Sequence, residues 1–165
     1  MLAIAGHPHA SARRSRRRVD RSGLSGRVRL DLAYLPLERF ERYIAAADVV
    51  VLPYLEGSDS AVLGAALGAG RAVVVTRVGG LPEMLGPRYP QELIVAPGDP
   101  AELAAALDAL LGDRATAARI GVDAGADATR RLSWRTTARA TADLYRELTR
   151  DQARRLAPVP VTRPA

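Results

Sequence analysis

Three loops hold most of the residues of this chain that could do chemistry. The most informative runs Glu56-Gly57-Ser58-Asp59-Ser60 and stands directly before a small-residue helical pattern beginning at Ala61. The unpaired backbone N–H groups of such a helix start make a seat for phosphate, and Ser58 and Ser60 add hydroxyl donors. Serine and aspartate are also ordinary helix caps, and Asp59 repels an anion unless a cation lies between. On this loop alone, capping is the simpler account.

A second loop, Thr76-Arg77-Val78-Gly79-Gly80, leads into a helix near Pro82. Two glycines permit positive φ and a close approach of ligand to backbone, although a tight turn would use them equally well. Glu83 falls in the first turn of that helix, where a carboxylate is favoured by the dipole; a sugar hydroxyl is the alternative partner. The third loop is Gly6-His7-Pro8-His9. A zinc site needs three or four ligands and the chain has only two histidines, so the pair does not predict a metal. Gly64, Gly68 and Gly70 do not form a phosphate loop, and they are read as letting a helix press on the sheet. No dinucleotide fingerprint follows the first strand. A Walker motif is excluded because lysine is absent.

These loops must be held by strands and helices. Short apolar runs at Leu2–Ala5, Val28–Leu32, Val49–Leu52, Ala72–Val75 and Leu93–Ala96 alternate with helical patterns. That order predicts an α/β fold of Rossmann-like type, a parallel sheet with helices on both faces. Val49–Leu52 and Ala72–Val75 read as strands buried on both faces. Leu2–Ala5 also reads as buried, beginning abruptly. Ligands of an open parallel sheet bind beyond the C-terminal ends of its strands, where all three loops fall. Helices are predicted at Arg13–Ser22, Leu37–Ala46 and Ala115–Arg130. Another follows Asp99, with Pro100 in its first turn and Glu102 closing a capping box. Ser133 caps a last helix with Trp134, Ala138, Thr141 and Tyr145 near one face. One domain is expected over residues 1–150, and a proline-rich, disordered tail over 151–165.

Composition narrows the class. The 165 residues suit one domain. Cysteine is absent, which excludes disulfides and thiolate metal sites and fits a reducing cytoplasm. No apolar run approaches the roughly 18 residues of a membrane span. All 24 basic residues are arginine and the net charge is +6, with a dense cluster at Arg13, Arg14, Arg16, Arg17, Arg18 and Arg21. That cluster offers a surface to nucleic acid or anionic lipid. A solvated helix face is the plainer reading, and no aromatic residue interleaves to stack bases.

In order and spacing, these pieces resemble the GT-B glycosyltransferases of retaining family 4, also called group 1. The family pattern "A-D-V-x-V-x-P" is matched by Ala47 to Pro53. Its "G-x-P-V-V-x-T-x-x-G-G-x-P-E" is matched by Gly70 to Glu83, with Ala72 in the proline place. Its "G-D-P-x-x-L-A-x-A-L" helix start is matched by Gly98 to Leu107, and its closing "S-W" with later tyrosine by Ser133, Trp134 and Tyr145. The resemblance covers about Leu2 to Leu148. It implies transfer of a sugar from a nucleotide-diphosphate sugar, with retained anomeric configuration and no metal cofactor. The acceptor would be a glycan, a lipid-linked sugar or a small molecule.

The resemblance also implies where the donor sits. Its diphosphate would lie against Ser58, Asp59, Ser60, Ala61, Gly79 and Gly80. The base would lie near Tyr34 and Leu35, and the sugar near Glu83; no catalytic residue is assigned. Many members carry two glutamates eight residues apart at the donor loop. The matching positions here are Gly57 and Ala65; Glu56 could stand in for the first with a one-residue slip, nothing stands in for the second, and the loop resembles instead a subgroup with "S-x-S", Ser58 and Ser60. Full members also have an acceptor domain and a first donor-domain strand and helix, both upstream of Met1. The chain is therefore expected to be a C-terminal fragment that needs that domain or a partner chain. A non-catalytic remnant and a basic module for nucleic acid or membrane surfaces are the alternatives. The cytoplasm is the expected compartment, with peripheral attachment to the inner membrane face as its variant.

Overall fold

The computed structural model describes residues 1–7 and 12–156. His9 and the last nine residues of the expected tail lie outside these. The elements in chain order are β1 (Leu2–Ala5), α1 (Ala12–Arg21), β2 (Val28–Asp31), α2 (Leu37–Ala46), β3 (Val49–Leu52), α3 (Ala61–Gly68), β4 (Ala72–Thr76) and α4 (Leu81–Leu85). A 3-10 turn (Gln91–Leu93), β5 (Ile94–Val95), α5 (Pro100–Gly112), α6 (Arg114–Arg131) and α7 (Trp134–Leu156) follow. Residues 151–156, assigned to the tail from their composition, continue α7 instead, since the first proline beyond Trp134 is Pro158.

All strand pairings are parallel, as the α/β reading requires, but the strands form two sheets rather than one. Among the described residues β1 pairs only with β2, and β4 lies between β3 and β5. Every residue of β4 is buried, as expected for a central strand. In β3, only Val50 and Leu52 are buried, because one edge is unpaired. β1 departs most from expectation. Its four residues are all exposed, because among the described residues it has one strand neighbour, β2.

The core centres on β4. Leu63, Ala66 and Leu67 of α3, Leu81 and Leu85 of α4, and Ala117, Ala124 and Ala128 of α6 are all buried in it. Small residues of α6 allow very close packing. A Cβ on Gly121 would stand 2.3 Å from the Gly70 carbonyl oxygen, and one on Gly125 would stand 2.4 Å from that of Leu67. The close helix approach expected at Gly64 and Gly68 is therefore made by α6 instead; a Cβ on either of those glycines meets nothing within 4 Å. Gly70 serves a turn, at φ +65.

Polar contacts hold the two sheets to a common frame. Tyr43 of α2 donates to Asp31 at 2.7 Å, and Arg39 pairs with the same carboxylate at 2.7 Å. At the other end of α2, Arg71 donates to the Ala45 carbonyl at 2.6 Å. Asp99 caps α5 through the Ala101 and Glu102 amides. The expected capping box is altered: Glu102 accepts from the Ala96 amide at 2.7 Å, whereas the Asp99 amide donates to Ala96 O.

α7 begins at its Ser133 cap, whose hydroxyl accepts from the Thr136 amide. Its apolar stripe has no cover among the described residues: Trp134 is 88% exposed and Tyr145 70%, with Leu144 and Leu148 beside them. Uncovered stripes of this kind drive association. Light scattering of the purified chain is expected to show an apparent mass that rises with concentration. A constant monomer mass at high concentration would refute this.

Candidate functional site

The C-terminal ends of β3 and β4 lie side by side because the strands are parallel and in register, Val49 with Ala72 through Leu52 with Val75. The loops they emit therefore meet. The Gly80 amide donates to the Ser58 carbonyl at 2.6 Å. Gly79 sits at φ +50, and a Cβ there would fall 2.1 Å from the Gly57 carbonyl oxygen and 2.6 Å from that of Ser58. Gly79 is thus required twice, by its left-handed backbone and by the carbonyls pressed on it. Ser58 and Gly79-Gly80, 21 residues apart in sequence, become one backbone surface.

Buried polar contacts fix that surface from below. Thr76, at the end of β4, donates to the Tyr54 carbonyl at 2.6 Å. The Tyr54 and Ser60 hydroxyls are 3.2 Å apart. Ser60 is buried and caps α3, its Oγ accepting from the Leu63 amide at 3.2 Å. Its hydroxyl therefore has a structural task. Helix geometry also leaves the Ala61 and Val62 amides unpaired, and Ser58, Asp59 and Ala61 are exposed beside them. Glu83 is exposed in the first turn of α4. Its backbone carbonyl accepts from Arg131 at 3.1 Å and that of Met84 at 2.8 Å, so α6 holds the end of this short helix.

Tyr34 and Leu35 lie beyond the C-terminal end of β2, in the smaller sheet. Tyr34 is 80% exposed, and among the described residues no hydrogen bond joins either to the loops at Ser58 and Gly79. His7 is exposed at the end of β1. The structure also shows a hollow that the sequence reading missed. It measures about 290 Å³ and is lined by Pro53, Leu55, Thr76, Val95, Gly98 and Leu103, at the C-terminal ends of β3, β4 and β5. Its signal was available in the apolar residues that follow two strands, Leu55 and Ala96.

With this geometry in view, the known proteins can be compared. A family model described as "Glycosyl transferases group 1" matches residues 1–113. The chain belongs to the group 1 glycosyl transferases. It is 37% identical over 127 residues to a D-inositol 3-phosphate glycosyltransferase of Corynebacterium efficiens, covering 77% of this chain and 29% of that one. Over 108 residues it is 32% identical to an MMP alpha-(1->4)-mannosyltransferase of Mycolicibacterium hassiacum, covering 66% of this chain and 26% of the relative. The solved sucrose-phosphate synthase of Thermosynechococcus elongatus superposes with a TM-score of 0.73 at 28% identity, covering 91% of this chain and 38% of that one. This group 1 chain thus spans about a third or less of the curated relatives it matches. No helix among the described residues is long and apolar enough to cross a membrane.

Proposed function

We propose that this chain is the donor-binding domain of a retaining glycosyltransferase that takes a nucleotide-diphosphate sugar. The observation that carries the reading is the joining of the Ser58 and Gly79-Gly80 loops at the start of α3. It holds the start of α3, with its unpaired Ala61 and Val62 amides, open beside the exposed Ser58 and Asp59 as a seat for a diphosphate. In this reading the diphosphate lies against Ser58, Asp59, Ala61 and Gly79, the sugar near Glu83 and the base near Tyr34 and Leu35. Ser60 acts from beneath, by holding the helix start. Stabilising the departing diphosphate supplies the main catalytic effect, without a metal, in the cytoplasm. Transfer then requires an acceptor-binding domain, and the open edge of β1 fits a domain that another strand completes.

A non-catalytic remnant is the second reading, and Gly57 and Ala65 favour it. If carboxylates there would hold the donor, each lost charged hydrogen bond removes roughly 1.5–3 kcal/mol. A thermal-shift series with UDP, GDP, ADP, NAD and a DNA oligomer separates the readings. One nucleoside diphosphate is expected to raise the melting temperature; at a hundredfold its Kd it adds about 2.7 kcal/mol. Gly79→Ala should cut that nucleotide's affinity tenfold or more, because the alanine Cβ drives the two loops apart. Cooperative melting with no response to any nucleotide would establish the remnant. A response only to DNA would establish a basic binding module.

A further inference from the structure

The positive charge of this chain is concentrated on one helix. Residues 12–21 hold six of its 24 arginines and one aspartate, and so five of its six net positive charges. Ala12, Ser15 and Val19 are the half-buried residues of α1 and recur at one-face spacing, so they mark its contact with the protein. Arg13, Arg14, Arg16, Arg17, Arg18 and Arg21 are all exposed. At about 100° per residue, Arg13, Arg17 and Arg21 form a row with Arg14 beside it, opposite that contact and about 12 Å long.

Among the described residues no carboxylate pairs with any of these six, whereas Arg39 and Arg131 elsewhere have such partners. Asp20, the only acid of α1, accepts instead from Ser25 Oγ at 3.3 Å. The helix has no acidic residue in its first turn and no buried residue. Arg13 and Arg17, Arg14 and Arg18, and Arg17 and Arg21 are like charges one turn apart, which oppose the helix. Arg13 and Arg14 also stand at its positive end. A dense anionic surface over the outer face offsets each of these costs.

We propose that α1 docks this protein on an anionic phospholipid bilayer through the face made by Arg13, Arg14, Arg17 and Arg21. A bilayer suits the face because it is short, outward and arginine-only. Residues 12–29 contain no aromatic side chain to stack a base and no amide side chain to read one. An exposed apolar residue follows the helix. Leu24, 45% exposed, sits three residues beyond Arg21. Its carbonyl accepts from the Arg27 and Val28 amides, which fixes the turn beside β2. Leu24 enters the headgroup boundary while the guanidinium groups bind phosphates. This attachment does not depend on donor binding at Ser58 and Gly79.

The test is co-sedimentation of the full chain with vesicles of mixed phosphatidylglycerol and phosphatidylcholine, against pure phosphatidylcholine. Each arginine near such a surface strengthens binding about fivefold. Arg13→Gln, Arg14→Gln, Arg17→Gln and Arg21→Gln together should therefore weaken it about a hundredfold or more. A control with the same charge loss at exposed sites elsewhere, Arg42→Gln, Arg88→Gln, Arg135→Gln and Arg139→Gln, should retain most binding. Leu24→Ser should weaken it further than charge alone explains. If the fourfold α1 variant does not fold, salt decides: in about 1 M salt the screening length falls to roughly 3 Å and the unmodified chain should leave the vesicles. Equal losses in the α1 and control variants, no preference for phosphatidylglycerol, or binding indifferent to salt would overturn the proposal. So would tighter binding to duplex DNA than to vesicles at matched phosphate and salt.

Discussion

Gly121→Ala and Gly125→Ala will each destabilise the fold by about 3 kcal/mol, although alanine is the better helix former by about 1 kcal/mol. The two effects oppose, and distance decides between them. The Gly121 Cβ would lie 2.3 Å from Gly70 O, 2.6 Å from Ala72 N and 2.7 Å from Arg71 C. These are backbone atoms at the entrance to β4, and no rotamer change moves them. α6 must retreat instead, and with it Ala117, Ala124 and Ala128, all buried against the same core. For a domain whose net stability is on the order of 5–15 kcal/mol, that loss is large. The double variant should cost less than the sum, because the first retreat already makes room for the second methyl. Gly64→Ala is the control. That glycine lies within α3 with nothing within 4 Å of its added Cβ, so alanine there should stabilise by up to about 1 kcal/mol. Urea denaturation of the four variants measures the differences. Gly121→Ala as stable as the unmodified chain would show that α6 does not pack as described.

Tyr89→Phe should cost a similar amount, about 3 kcal/mol, for a different reason. β5 is only two residues long and pairs with β4 at Val75 and Thr76 alone. The Arg77 amide donates to Val95 O on that side, and by two-residue alternation Val73 faces the same way. The Tyr89 hydroxyl replaces the absent strand there. It donates to the Val73 carbonyl at 2.6 Å and accepts from the Val73 amide at 2.9 Å. Phenylalanine keeps the ring but leaves both buried groups unpaired, a penalty of about 1–3 kcal/mol each. At roughly 2–4 °C per kcal/mol, the melting temperature should fall by about 10 °C.

The same hydroxyl sets a pH dependence. Burial pushes the Tyr89 pKa up from 10.0 to about 12, against the lowering effect of the Val73 bond. The folded state therefore holds this proton more tightly than the unfolded chain does. Its contribution is fully present below pH 10 and is lost as pH rises towards 12, at most roughly 3 kcal/mol. Denaturation curves from pH 8 upward should show that decline in the unmodified chain and a shallower one in Tyr89→Phe. Identical slopes would mean that the phenol is not buried as described.

Local signals made much of this fold legible. α2 spans Leu37–Ala46, the range its periodicity predicted, because its apolar residues and flanking breaks lie within ten consecutive positions. The caps at Asp99, Ser60 and Ser133 were likewise visible, since a cap acts over three residues. The motif order from Ala47 to Leu107 was enough to point to the glycosyltransferase family. β1 was misjudged for the opposite reason. Leu2–Ala5 has the composition of an inner strand, but burial depends on neighbours, and neighbours are not written in those four residues.

By itself, then, the sequence determined the parallel α/β class, most element boundaries, the family and the loops that bear serine and glycine. Each of these rests on periodicity, capping or spacing, which act within a few residues. Only the tertiary structure decided that the strands divide into two sheets, that Gly121 and Gly125 rather than Gly64 and Gly68 give the close helix contact, and that Tyr89 completes β4. It also joined Ser58 to Gly79 and placed the α1 arginines opposite the half-buried face of their helix. The physical reason is common to all of these. They depend on atoms brought within a few ångströms by folding from positions 16 to 58 residues apart, such as Tyr89 with Val73 and Gly125 with Leu67.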